Sequence, residues 1–90
     1  MDEEERETRQ QLMIVTALLQ AMDRREEVFQ IIEQSEDGDE ALRRVSQLLG
    51  VGELGSRFVL DLQAKSFTRE RRRTFASYAE ELRSRLPDAP

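Results

Sequence analysis

The side chains able to do chemistry in this chain are carboxylates and guanidiniums. It contains no Cys and no His, which removes thiol nucleophiles, imidazole bases, disulfides and the usual transition-metal ligands together. The adjacent acids Glu26-Glu27 and Glu80-Glu81 have the composition of an acid–base or Mg²⁺ pair. Neighbouring residues of a helix point about 100° apart, so neither pair converges, and both read as a solvated face. Arg69, Arg71, Arg72 and Arg73 form the basic cluster of the chain. Two chemistries fit it: contact with nucleic-acid phosphates, or ion pairs to the acidic first helix at Glu26, Glu27 or Glu33. A net charge of -5 and the lack of aromatic residues interleaved with the arginines favour the ion pairs. The acids Asp2, Glu3, Glu4, Glu5 and Glu7 have the charge of a DNA mimic, yet an acidic first turn is also what a helix start prefers. The expectation is a protein that is not an enzyme and has no cofactor and no metal.

Those residues must be carried by helices, because the apolar residues recur at helical spacing. Residues 3–34 read as one long helix without Pro or Gly, with a stripe at Leu12, Val15, Leu19, Met22, Phe29 and Ile32. A second set, Ile14, Leu18, Val28 and Ile31, widens the stripe and implies more than one neighbour. Ser35 to Glu40 is a break, with Asp37 or Asp39 as the next N-cap. A short helix follows with Ala41, Leu42, Val45, Leu48 and Leu49, ended by Gly50. Gly52 to Gln63 is a third helix, in which Val51, Leu54, Phe58, Val59 and Leu62 share an arc and Leu60 falls outside it. Thr68 caps the last helix, residues 68–86, with Phe75, Tyr78, Leu82 and Leu86 on one face before Pro87 stops it and residues 87–90 form a tail. Phe29, Phe58, Phe67, Phe75 and Tyr78 are most economically core.

Short connections bring sequential helices back against each other. The fold class expected is therefore all-α: an antiparallel two-helix coiled-coil hairpin with a small two-helix head at residues 39–64, in one domain. A ninety-residue domain buries only roughly two-thirds of the surface its unfolded chain exposes, which makes a monomer marginal and a homodimer the expectation. Residues 1–40 hold 13 acids and 4 bases, and residues 41–90 hold 6 acids and 10 bases. Complementary halves of this kind pack against each other or against the opposite halves of a second copy. No apolar run approaches the roughly 18 to 20 residues that cross a bilayer, and the acidic start is unlike a signal or transit peptide, so no membrane partner and a cytoplasmic location are expected. The Met1 start and short tail suggest a whole gene product.

The stretch Leu49-Gly50-Val51-Gly52-Glu53-Leu54-Gly55-Ser56-Arg57-Phe58-Val59-Leu60-Asp61-Leu62 resembles the coiled-coil exit-gate region of bacterial type IIA topoisomerase A subunits, that is, gyrase A and topoisomerase IV A. That family has Gly-Leu-Ser-Glu and then an apolar helix ending Ile-Leu-Asp-Met-Arg-Leu. Residues 15–23 and 27–32 are similar to its descending helix, Phe67-Thr68 to its Leu-Thr step, and Tyr78-Ala79-Glu80-Glu81-Leu82 to its returning helix. The likeness spans residues 9–86 in order. It implies heads that meet between two subunits, here through Leu48, Val51, Leu54, Arg57, Phe58, Leu60, Asp61 and Leu62. Departures are Gln63 and Ala64 in place of Arg and Leu. The chain carries no counterpart of the winged-helix, metal-binding or ATPase domains, and Tyr78 is not the family's DNA-cleaving tyrosine.

The function expected is non-catalytic protein–protein association, as a homodimer and with a type IIA topoisomerase as a further partner. The alternative is a small nucleic-acid-associated or transcription-regulating factor using Arg69, Arg71, Arg72 and Arg73, with weak, salt-sensitive binding.

Overall fold

Asp2 starts the first helix: its backbone is extended and its Oδ1 accepts from the Glu5 N–H at 2.7 Å. Glu3, Glu4 and Glu5 then place negative charge where the helix dipole favours it. The computed structural model describes residues 2–62 and 64–87; Met1, Gln63 and residues 88–90 of the expected tail lie outside the described residues. In chain order the helices are α1 (Glu3–Asp23), α2 (Arg25–Gln34), α3 (Gly38–Leu49), α4 (Glu53–Asp61) and α5 (Arg69–Ser84), with a 3₁₀ turn at Ala64–Phe67 before α5. There is no strand among the described residues.

The single helix expected over residues 3–34 is broken at Arg24, whose φ of -121° and ψ of 34° leave the helical region. No Pro or Gly forces this break. The Arg24 guanidinium instead donates to the Leu48 carbonyl at 3.0 Å, in the last turn of α3, and to both Glu27 carboxylate oxygens at 3.0 and 2.7 Å. A cation on the carbonyls of a helix C-terminus is favoured by the dipole. The break lets α2 swing onto α3, so Val28 and Ile31 stay in the core while Phe29 and Ile32 lose the stripe they would have continued.

Caps and turns explain the other boundaries. Asp37 Oδ1 accepts from the Glu40 N–H at 2.9 Å to begin α3, and Thr68 Oγ1 accepts from the Arg71 N–H at 3.2 Å to begin α5. Gly50 ends α3 at φ 67° and ψ 28°, a left-handed conformation that costs glycine nothing and an L side chain about 1–2 kcal/mol.

Two cores share α1. Val15, with Leu12 and Leu19 beside it, packs on Ala79 and Leu82 of α5. Ala17, Leu18 and Ala21 pack with Val28, Val45, Leu49 and Val59 from α2, α3 and α4. Helices α1 and α5 are antiparallel: Arg72, near the start of α5, reaches Asp23 at the end of α1, and the Tyr78 hydroxyl, further along α5, donates to Gln11 Oε1 at 3.2 Å. The short helices pack against the rest of the chain, α3 on α2 and α4 on both α1 and α3. At the α1–α4 crossing a Cβ on Gly55 would stand 3.1 Å from the Ala17 Cβ, so the absence of a side chain is what lets the helices approach. Among the described residues Asp23–Arg72 is the one ion pair that joins distant segments; the others are spaced three or four residues apart. Among the described residues no helix is long and apolar enough to cross a membrane.

Candidate association surface

Helix α4 is anchored on one side and bare on the other. Gly55, Ser56 and Val59 are buried against α1 and α3. The fully buried Ser56 hydroxyl lies 2.7 Å from Ser46 Oγ of α3, while Ser46 is 2.9 Å from the Leu42 carbonyl and Ser56 is 3.1 Å from the Gly52 carbonyl. Two hydroxyl protons serve three contacts, so the pair runs either from Ser46 through Ser56 to Gly52 or from Ser56 through Ser46 to Leu42. Either way both hydroxyls are engaged and α4 is tied to α3.

The other side of α4 carries Leu54, 36% exposed, and Phe58, 46% exposed. They are one turn apart and so lie side by side. Arg57 sits next to them, donating to Glu53 at 2.6 Å; that hydrogen bond, with the charges of Glu53, Asp39 and Asp61, raises its pKa further above the ordinary arginine value. An open groove of about 490 Å³ between α3 and α4 is floored by Leu42 and Ser46, and Asp39, Arg43, Glu53 and Arg57 give its rim mixed sign.

The residues expected to form the association surface divide sharply. Leu54, Arg57, Phe58 and Asp61 are exposed. Leu48, Val51, Leu60 and Leu62 are half-buried and pack against the chain's own core. Leu60 corrects the helical-arc reading: it sits on the α3 side of α4, beside Gly38, Asp39 and Leu42, because α3 covers the flank that an isolated helix would leave bare. The aromatic residues are a second correction. Phe29, Phe58 and Tyr78 are exposed, Phe67 and Phe75 half-buried, and the buried core is built from Val, Leu, Ala and Met.

The arginine cluster divides as well. Arg72 binds Asp23 through both oxygens at 2.8 and 2.9 Å, and this hydrogen bonding, against the opposing effect of burial and with the arginine's charge, holds the Asp23 carboxyl below its ordinary range. Glu27, one of the expected acidic partners, is instead bound by Arg24, whose hydrogen bond lowers its pKa. The Arg71 guanidinium lies 5.4 Å from the centre of the Phe75 ring. Arg69 and Arg73 are exposed and take part in no ion pair among the described residues. One aromatic ring does therefore accompany the cluster in space: Phe75, four residues after Arg71 on the same helix.

Among the described residues no group of three or more acidic side chains is placed to hold a metal ion, and every buried side-chain nitrogen or oxygen has a hydrogen-bond partner. No protein-family model matches the chain, and no curated protein matches it.

Proposed function

We propose that the chain is a non-catalytic protein–protein association module that pairs with a second copy of itself through the outer face of α4. One observation carries this reading: Leu54 and Phe58 stand exposed and adjacent on a helix whose opposite face is fixed by Gly55, Ser56 and Val59. Interface energy concentrates in aromatic and aliphatic anchors presented on a rigid support, surrounded by polar groups that exclude water. Leu54 and Phe58 have that role here, with Arg57 and Asp61 as rim. The resemblance of residues 49–62 to the exit-gate head of type IIA topoisomerases points to the same helix. It makes a topoisomerase that presents a similar helix the second class of partner. The test is sedimentation of Leu54→Glu and Phe58→Glu: a buried unpaired charge costs several kcal/mol, enough to dissociate a small interface. A native chain that sediments as a monomer, or variants that associate as the native chain does, would refute the proposal.

A further inference from the structure

The start of α5 holds more cationic charge than the fold uses. Between residues 65 and 73 there are five cations, Lys65, Arg69, Arg71, Arg72 and Arg73, against the single acid Glu70. Only Arg72 is spent on an ion pair among the described residues. Cations in the first turn of a helix oppose its dipole, so Arg69, Arg71 and Arg73 contribute nothing favourable there from the helix itself. The backbone of that turn is not the attraction, because Thr68 already caps the Arg71 N–H.

Aromatic surface meets this charge. Phe67 closes the 3₁₀ turn two residues before Arg69, and its ring lies 5.5 Å from that of Phe29 on α2, tilted by 50°. Phe29 is nearly half exposed, and the Phe75 ring lies beneath the Arg71 guanidinium. Cations that follow a phosphate backbone, beside rings on which bases stack, are the combination that binds single-stranded nucleic acid without sequence preference. A purely acidic peptide would use the cations alone, whereas a single strand uses both cations and rings. Duplex DNA keeps its bases stacked within itself.

We infer that the α5 start, where Lys65 and Arg69 flank Phe67 in the chain, Arg71 and Arg73 follow, and Phe67 carries the exposed Phe29 ring against it, is a weak binding surface for single-stranded nucleic acid. It uses none of the residues of the proposed pairing surface and does not depend on the pairing of two copies. With up to about four phosphates neutralised, the affinity falls with a log–log salt slope near -2.8, or about 20-fold between 50 and 150 mM salt. The overall charge of -5 keeps the binding weak.

The experiment is fluorescence anisotropy of a labelled, mixed-sequence DNA strand of about 12 nucleotides, a length within the range such surfaces cover. The expected results are binding at about 50 mM salt with the stated salt slope, and weaker binding to the duplex of the same length. Arg69→Ala/Arg73→Ala should lower affinity about tenfold and halve the slope, and Phe29→Ala should lower it about fivefold or more. Both are exposed sites, and circular dichroism checks that the variants keep their helix content. Arg83→Ala/Arg85→Ala, at the far end of α5, should leave binding unchanged. Absence of binding at the lower salt, a duplex bound as tightly as the strand, or equal competition by polyglutamate would overturn the inference; the last would assign the surface to acidic proteins.

Discussion

Restoring a side chain at Gly55 tests whether α4 is seated on α1 as described. The added Cβ would meet the Ala17 Cβ at 3.1 Å, some 0.5 Å inside a comfortable carbon–carbon contact. Ala17 is fully buried in the middle of α1 and has no flexible atoms with which to yield. Two effects then compete. Replacing a helical glycine with alanine is worth at most about 1 kcal/mol in propensity at this first-turn position, and overpacking a tight core costs about 1–3 kcal/mol. Gly55→Ala should therefore be neutral to destabilising, by up to about 2 kcal/mol, instead of stabilising. Ala17→Gly alone should cost about 1 kcal/mol in α1 propensity and somewhat more for the lost contact. The double variant relieves the crowding, so it should be more stable than the sum of the two by about 1–2 kcal/mol. Urea unfolding followed by circular dichroism measures all four proteins, at one chain concentration because pairing makes stability depend on it. A Gly55→Ala variant that gains the full propensity increment and shows no coupling to Ala17→Gly would refute this seating of α4.

Gly50→Ala should destabilise the chain by about 1 kcal/mol although the site is spatially open, because φ of 67° is the obstacle; Gly38→Ala, in an equally open place, should be neutral or mildly stabilising in the same urea unfolding experiment. Asp23→Asn should lower stability near neutral pH. Because the folded carboxyl titrates below its unfolded value, the contribution is present above about pH 4 and is lost as pH falls through the depressed folded pKa. The native chain and the variant should then converge in strongly acidic solution, and a difference that persists there would contradict the Asp23–Arg72 contact. Both partners are exposed, so the effect should also shrink with salt.

Much of this arrangement is legible in the residues. The caps Asp37 and Thr68 and the terminator Gly50 mark their boundaries by type, because few side chains can satisfy a helix end or adopt its exit conformation. The two apolar stripes of α1 anticipate its two cores: Leu12, Val15 and Leu19 meet α5, while Ile14 and Leu18 meet α2, α3 and α4. The break at Arg24 leaves no local mark. Its partner is the Leu48 carbonyl, 24 residues away, and a backbone acceptor cannot be seen in a sequence. From that one break follow the exposure of Phe29 and Ile32 and the pairing of Phe29 with Phe67. The packing of the half-buried Leu60 has a similar origin, since which flank of α4 is covered depends on where α3 lands. Ala17 and Gly55 carried no hydrophobic signal because their contribution is the smallness that permits a close crossing.

Pairing through α4 is most directly tested by sedimentation equilibrium at micromolar concentration. Leu82 is fully buried and Leu19 and Leu60 pack against the two cores, so a charge at any of them would disturb the fold as well as an interface, whereas Leu54, Phe58, Ile32 and Tyr78 are exposed. The native chain should sediment at twice its 10.5 kDa mass. Leu54→Glu and Phe58→Glu should sediment as single chains with undiminished helix content, while Ile32→Glu and Tyr78→Glu should remain paired. A native chain of single mass, or a pair that survives Leu54→Glu and Phe58→Glu but is split by Tyr78→Glu, would contradict the account.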